Sequence, residues 1–147
     1  MLPRTLQEDV IIEGNIYYFE NNSTFGVPAH MHVCVKRANR LLFFATCSSQ
    51  INTALRLSQL YKWDINTFPV FKKDDTNKFK ESLTYVNCNR CYEITVPEFV
   101  DLIEKGEIRL MKGSFTESDL QLITKGIMSS TQISREIKEL FKVGSII

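Results

Sequence analysis

The run Leu41–Ala45 (LLFFA) constrains the fold more than any other feature of the chain. It is the longest unbroken apolar run in the 147 residues. Such a run suits a strand that is buried on both faces, and it is far too short to span a bilayer. Two runs with strand composition, Ile16–Phe19 and Met31–Val35, precede it, and turn-forming residues separate the three. We therefore predict three neighbouring antiparallel strands, of which the third ends at Thr46.

Beyond these strands the sequence predicts a mixture of helix and strand. A short helix fits Ile51–Lys62, and a polar, lysine-rich loop follows it. Leu83–Val96 has the composition of a strand region that is bent at Asn87–Asn89. Pro97 favours the start of a short helix there, because proline is tolerated in the first helical turn.

The last third of the chain is predicted to be helical. Thr116 and Asp119 have the spacing of a helix start, and apolar residues recur behind them at helical intervals. The stretch Ser129–Thr131 interrupts this pattern and could cap a second helix. We predict one α+β domain over residues 1–147. Residues 1–96 would form a strongly bent antiparallel sheet or barrel with a variable loop or helix at 51–82, and residues 97–147 would be mainly helical.

Composition limits the classes of partner. The formal net charge is only +1, so no global basic field indicates nucleic acid, and any such role depends on a local patch. Glu8 and Asp9 lie where a signal peptide would have its apolar region, which predicts a cytoplasmic protein with no membrane partner. The four cysteines are then expected to be thiols or ligands rather than disulfides.

The only two histidines, His30 and His32, lie two residues apart in the second strand. Alternation places them, with Cys34 and Lys36, on the face opposite Met31, Val33 and Val35. Antiparallel pairing would bring them opposite Thr46 and Ser48 at the end of the next strand. An imidazole beside hydroxyl and cationic groups suits acid–base cleavage of a phosphodiester. The alternative is an ordinary solvated strand edge.

Two other sets of residues are candidates for RNA contact. The loop that contains Lys72, Lys73, Lys78 and Lys80 could bind phosphates, or it could simply be a solvated loop. Aromatic side chains could stack on bases, although such residues are more often half-buried; the candidates are Tyr17, Tyr18, Trp63 and Phe68.

A metal site is the third alternative. Cys88 and Cys91 form a C-x-x-C pair that, together with His30 and His32, would supply the four nitrogen and sulfur ligands of a zinc ion. A redox role for the pair is disfavoured, because the residues after Cys91 continue as a strand rather than a helix. Otherwise the two cysteines are small residues of a strand.

The order of motifs resembles that of the MazF/PemK-like toxins. Gly14–Tyr17 (GNIY) matches the family's G-D-I start, Pro28–Val35 matches its R-P-x-L-V-V strand, and Ala45–Ser48 (ATCS) matches its P-I-T-S. Gly113–Ser130 is similar to the family's closing helix. The family's arginine before the apolar strand is absent, and His30 and His32 stand nearest its position.

This resemblance implies an SH3-like barrel and a toxin of a toxin–antitoxin system. Members cut single-stranded RNA without a metal or other cofactor, usually as homodimers, and a cognate antitoxin neutralises them. Carried onto this chain, one of His30 and His32 would transfer a proton, and Thr46 or Ser48 would orient the phosphate. The flanking phosphates would be held by the remaining candidates, Lys36, Arg37, Lys72, Lys73, Lys78 and Lys80. The alternative function is a non-catalytic SH3-like module that presents the same surfaces to a protein or nucleic acid.

Overall fold

One curled antiparallel sheet, with helices on both of its faces, organises the part of the chain that the computed structural model describes, residues 11–20 and 29–142. The strands are β1 (Asn15–Phe19), β2 (His30–Ala38), β3 (Leu41–Ser48), β4 (Val70–Lys72), β5 (Leu83–Val86), β6 (Tyr92–Thr95) and β7 (Ile108–Ser114). The helices are α1 (Ile51–Tyr61), α2 (Val96–Glu104), α3 (Glu117–Ser129) and α4 (Arg135–Lys142), with a single 3₁₀ turn at Ile65–Thr67. The predicted α+β class with a bent sheet is confirmed.

The apolar strand β3 lies at the centre of the sheet. The order of the strands in the sheet is β4–β5–β3–β2–β1–β7, and β6 also pairs with β3. β3 therefore pairs with β2 on one side and with both β5 and β6 on the other. The predicted set of three antiparallel strands is confirmed, and so is the bend that divides Leu83–Val96 into two strands.

The sheet has an apolar core on each face. On the inner face, the two edges of the sheet approach one another around Phe115, whose ring centroid is 4.9 Å from that of Phe71 and 5.5 Å from that of Phe79. Ile123 and Ile127 of α3 close this core. On the outer face, Phe99 of α2 packs against the aromatic rings of β1 and β3. The curl of a half-barrel follows, because apolar residues from both edges share one inner core.

A β-bulge in β2 reverses the alternation that the sequence predicts. The register with β3 shifts between Cys34 and Lys36, so that Cys34 pairs with Phe44 and Lys36 pairs with Phe43. Phe44 belongs to the outer core and Phe43 to the inner core. The prediction that Lys36 shares a face with His32 is therefore wrong, because the extra residue of a bulge turns the following side chain to the other face.

Local capping sets the starts of the helices. Thr116 and Asp119 form a capping box at α3, as their spacing predicts, and the structure shows a second capping box, of Thr95 and Glu98, at α2. The second C-terminal helix begins later than predicted, at Arg135, where the Ser134 hydroxyl accepts a hydrogen bond from the N–H of Ile137. No helix in the described ranges is long and apolar enough to cross a membrane.

Candidate functional site

His32 lies in the outer core and has no exposed surface. It pairs with Thr46 across β3, as the antiparallel register predicts. Its ring centroid is 4.7 Å from that of Phe19 and 5.7 Å from that of Tyr92. The alternative of a solvated strand edge is wrong at His32, because the aromatic side chains of the outer core cover that face. Alternation along β2 therefore separates two cores instead of separating a core from solvent.

The electrostatics of His32 are those of a neutral buried ring. Its Nδ1–H donates to the carbonyl oxygen of His30 at 3.0 Å, and within the described ranges Nε2 has no hydrogen-bond partner. Burial, which penalises the charged form, lowers the pKa of His32 to about 4. In this arrangement His32 cannot contact a substrate, so the sequence-based pairing of two accessible histidines is wrong.

The two predicted hydroxyl partners differ in burial and in contacts. Thr46 is half-buried opposite His32, and its carbonyl oxygen accepts the N–H of Asn87 at 3.0 Å. Ser48 is buried, and its hydroxyl accepts the N–H of Gln50 at 3.1 Å where the chain turns into α1. Neither residue lines the open cleft described below.

Two of the predicted RNA-binding residues also have structural contacts. Lys36 is buried, and its Nζ lies 5.8 Å from the ring centroid of Phe141 in α4. The backbone N–H of Arg37 donates to the Glu13 carboxylate at 2.8 Å, and its Nη1 donates to the carbonyl oxygen of Ile11 at 3.0 Å. Neither residue is available as the predicted phosphate contact, because one is enclosed and the other holds the segment that enters β1.

The zinc alternative is also wrong. Cys88 belongs to the inner core, where its thiol lies 3.4 Å from the carbonyl oxygen of Ile123, whereas His32 belongs to the opposite face of the sheet. In the described part of the chain no three histidine, cysteine or acidic side chains are grouped as metal ligands. Burial raises the pKa of Cys91 to about 12.

A cleft of about 860 Å³ forms the candidate functional site. It lies between the β1, β2 and β7 strands on one side and the β4–β5 loop, residues 73–82, on the other. The basic residues of its lining are Lys78, Lys80, Arg109 and Lys112; His30 and the acidic Glu81 also line it. Its aromatic and large apolar residues are Ile16, Tyr18, Met31, Phe79, Leu110 and Met111. The chain thus has a local basic patch despite a net charge near zero.

Asn77 holds the β4–β5 loop in place against the sheet. Its side-chain oxygen accepts the N–H groups of Asp74 and Phe79, and its Nδ2 donates to the carbonyl oxygen of Lys72 at 3.0 Å. The neighbouring carbonyl of Thr76 accepts the N–H of Ser114 in β7 at 3.0 Å. These contacts hold Lys78 and Lys80 at the cleft, one on each side of the buried Phe79.

The structure divides the predicted lysines and aromatic residues into two groups. Lys78, Lys80 and Tyr18 line the cleft, whereas Lys72 and Lys73 are exposed outside its lining. Tyr17 and Phe68 are buried, and Trp63 stacks on Tyr61 beside α1. Sequence reasoning missed Arg109 and Lys112. The signal that could have found them is the basic pattern of β7, IRLMKGS, on a strand whose neighbour the sequence does not reveal.

His30 is the accessible histidine of the described chain. It is half-buried at the cleft, and burial lowers its pKa, so the ring is neutral at pH 7. Its Nδ1 accepts the N–H of Met31 at 3.0 Å, which places the ring proton on Nε2. In this tautomer His30 can donate a hydrogen bond to an anionic ligand.

No family model matches the chain, and no curated protein matches it in sequence. The resemblance to the MazF/PemK-like toxins therefore stays a prediction from the motifs.

Proposed function

We propose that this protein binds single-stranded RNA in the cleft between β7 and the β4–β5 loop. The observation that carries the proposal is that four basic residues and His30 line one cleft together with apolar and aromatic residues. Single strands are bound in this way, with cations along the backbone and unstacked bases on aromatic or apolar surfaces. A paired helix would not present its base faces to such a cleft.

The basic residues come from two separate segments, which suits a strand that runs between them. Lys78 and Lys80 belong to the loop, and Arg109 and Lys112 belong to β7. Backbone contacts of this kind position a nucleic acid without reading its sequence. The proposal is therefore an RNA-binding module of the kind that the sequence offers as its non-catalytic alternative. A cytoplasmic location belongs to the same proposal.

Reversing the charge of the two loop lysines tests this function. We expect Lys78→Glu with Lys80→Glu to weaken binding of a labelled single-stranded oligoribonucleotide at least about 10-fold, because two phosphate contacts become repulsive. The dependence of log Kd on log salt concentration should also become shallower. Fluorescence anisotropy at several salt concentrations measures both effects.

Lys72→Glu with Lys73→Glu is the matched control, since it makes the same charge change in exposed residues outside the cleft lining. Its affinity should stay within about 3-fold of wild type, which leaves room for long-range screening effects. Equal losses in the two double variants would show that binding is not located in the cleft.

The second candidate function is that of a metal-independent endoribonuclease toxin, with homodimers and a neutralising antitoxin. It is favoured by one observation, that His30 lines the same cleft as the cations. In this reaction the 2′-oxygen attacks the adjacent phosphorus and its proton passes to a base, while the 5′-oxygen leaves and takes a proton from water, which gives a 2′,3′-cyclic phosphate and a 5′-hydroxyl. His30 can serve as that base only after its ring turns from Met31 and offers an unprotonated nitrogen.

Cleavage separates the two candidates. If the protein is a nuclease, it should cut single-stranded RNA in EDTA, and His30→Gln should slow the cut about 100-fold or more while changing the affinity only slightly. Gel analysis of end-labelled RNA measures the rate. Binding without cleavage would remove the nuclease and leave the binding module. Cleavage by wild type and His30→Gln at the same rate would keep the nuclease and show that His30 is not its base.

A further inference from the structure

Arg109 has contacts that differ from those of the other basic residues of the cleft. It pairs with Tyr18 across the β1–β7 register, so both side chains lie on the face that lines the cleft. The guanidinium carbon is 5.1 Å from the centroid of the Tyr18 ring. Its Nε–H donates to the carboxylate of Glu20, which lies two residues after Tyr18 and is held to the sheet by a backbone bond to Glu107.

These contacts hold one edge of the guanidinium and leave the other edge open. The ring of Tyr18 supports its plane, and Glu20 occupies the Nε position. Among the described residues, the two Nη groups have no protein partner. They carry four of the five N–H donors of an arginine side chain. This outer edge has the two-donor geometry that matches two oxygens of a phosphate.

We propose that Arg109 is the phosphate-recognising residue of the cleft, and that Tyr18 and Glu20 are its positioning residues. The proposal rests on the proposed function and deepens it, because it assigns a specific contact to one phosphate of the bound strand. Lys78, Lys80 and Lys112 carry compact charges that attract any anion, whereas Arg109 presents a planar group of N–H donors that its contacts orient. Less freedom is lost on binding when the fork is already oriented.

Arg109→Lys is the informative variant, because it keeps the charge and removes the fork. We use two probes, a single-stranded RNA hexanucleotide and inorganic tripolyphosphate, and measure Kd by calorimetry at several salt concentrations. We expect Arg109→Lys to bind both probes about 10-fold more weakly, a factor within the range that a good bidentate contact contributes. The slope of log Kd against log salt for RNA should not change, because the number of neutralised phosphates is the same.

Lys112→Gln is the matched control in the same strand. It removes a charge without touching the fork, so the salt slope for single-stranded RNA should fall by about 0.7. If Arg109→Lys changes the affinity but not the salt slope, Arg109 acts through its geometry. If Lys112→Gln changes the salt slope, Lys112 acts through its charge.

Two variants of Glu20 test the positioning role. Glu20→Gln keeps an oxygen that can accept the Nε–H, so its affinity should match or exceed that of wild type. Glu20→Ala releases the guanidinium and should weaken binding about 5-fold, because a side chain with several rotatable bonds must then be ordered by the ligand. Equal affinity of the two variants would show that Glu20 does not position Arg109 and would overturn that part of the proposal.

The two probes separate this inference from the function on which it rests. Weaker binding of both probes by Arg109→Lys supports both. If wild type does not bind RNA but Arg109→Lys binds tripolyphosphate more weakly than wild type does, Arg109 still recognises phosphate and the proposed RNA function is wrong. Two outcomes would overturn the assignment of Arg109 as the phosphate-recognising residue. In the first, Arg109→Lys binds a probe as tightly as wild type does. In the second, wild type binds neither probe.

Discussion

Gly113→Ala is expected to lower the free energy of unfolding by about 3 kcal/mol, the upper part of the range for overpacked sites. A Cβ at this position would lie 1.8 Å from the carbonyl oxygen of Asn77 and 2.4 Å from its carbonyl carbon. Both atoms are backbone atoms, so no side chain can rotate away to make space. Asn77 is also held by three hydrogen bonds of its own side chain. The β4–β5 loop must therefore move as a unit.

Urea denaturation of the variant measures this loss, with Gly106→Ala as the control. Gly106 has a φ of +74° and open space around its Cβ position, so alanine there adds only backbone strain. That strain costs about 1 kcal/mol. If Gly113→Ala were no more destabilising than Gly106→Ala, the close approach of the loop to β7 would be wrong.

The same variant should also weaken RNA binding. Displacing the loop from β7 carries Lys78 and Lys80 away from Arg109 and Lys112, so the two halves of the basic cleft separate. We expect Gly113→Ala to lose affinity to the extent that the loop double variant does, measured by anisotropy at a temperature where both proteins are folded. Full affinity in the folded variant would mean that the loop is not part of the binding site.

Acidification is expected to remove about 3 kcal/mol of stability through His32, the equivalent of a pKa difference of roughly two and a half. The pKa is about 4 in the folded protein and near 6.5 in an unfolded chain. Above pH 6.5 the ring is neutral in both states, and its contribution is complete. As the pH falls below 6.5 the unfolded state binds a proton first, so the contribution is lost progressively until the pH reaches about 4.

His32→Asn isolates this effect. The asparagine amide can still donate to the carbonyl oxygen of His30, but it has no proton to gain in this range. The variant is expected to be less stable than wild type at pH 7.5, because its smaller side chain leaves space beside Phe19 and Tyr92. The difference in unfolding free energy between wild type and variant should shrink as the pH falls from 6.5 to 4.

Measuring that difference by denaturant titration at each pH cancels the carboxylates that both proteins share. His30→Asn is the control, because His30 is only half-buried and the burial that lowers its pKa is less complete. Its difference from wild type should change less over the same range. A difference that stays constant from pH 7.5 to 4 in His32→Asn would show that the ring of His32 is not held neutral in the core.

Features that depend on near neighbours in the chain were predictable. The strands around β3 follow from apolar runs in the sequence. A strand whose residues are apolar on both faces is stable only when both of its faces are buried within a sheet. Thr95 and Thr116 begin helices because each finds its capping partner three residues further on. The pairing of His32 with Thr46 follows from a short connection between adjacent strands, which leaves few registers.

Features that depend on distant parts of the chain were not predictable from the sequence. The bulge after Cys34 turns Lys36 into the inner core, and nothing in the local pattern announces an extra residue in a strand. The solvated face predicted for β2 assumes one open side, whereas α2, which follows much later in the sequence, covers it. Accessibility is a property of what packs on a residue, so alternation alone cannot assign it.

The sequence by itself determined the α+β class, the central strands, the start of α3 and the need for a local basic patch in any RNA-binding role. Only the tertiary structure decided which residues form that patch. It placed His32, Lys36, Ser48 and Arg37 in structural roles, and it brought Lys78 and Lys80 to the same cleft as Arg109 and Lys112. The physical reason is that secondary structure follows from short-range sterics and hydrogen bonds, whereas a cleft is formed by long-range packing, here by the contact of Asn77 with Gly113.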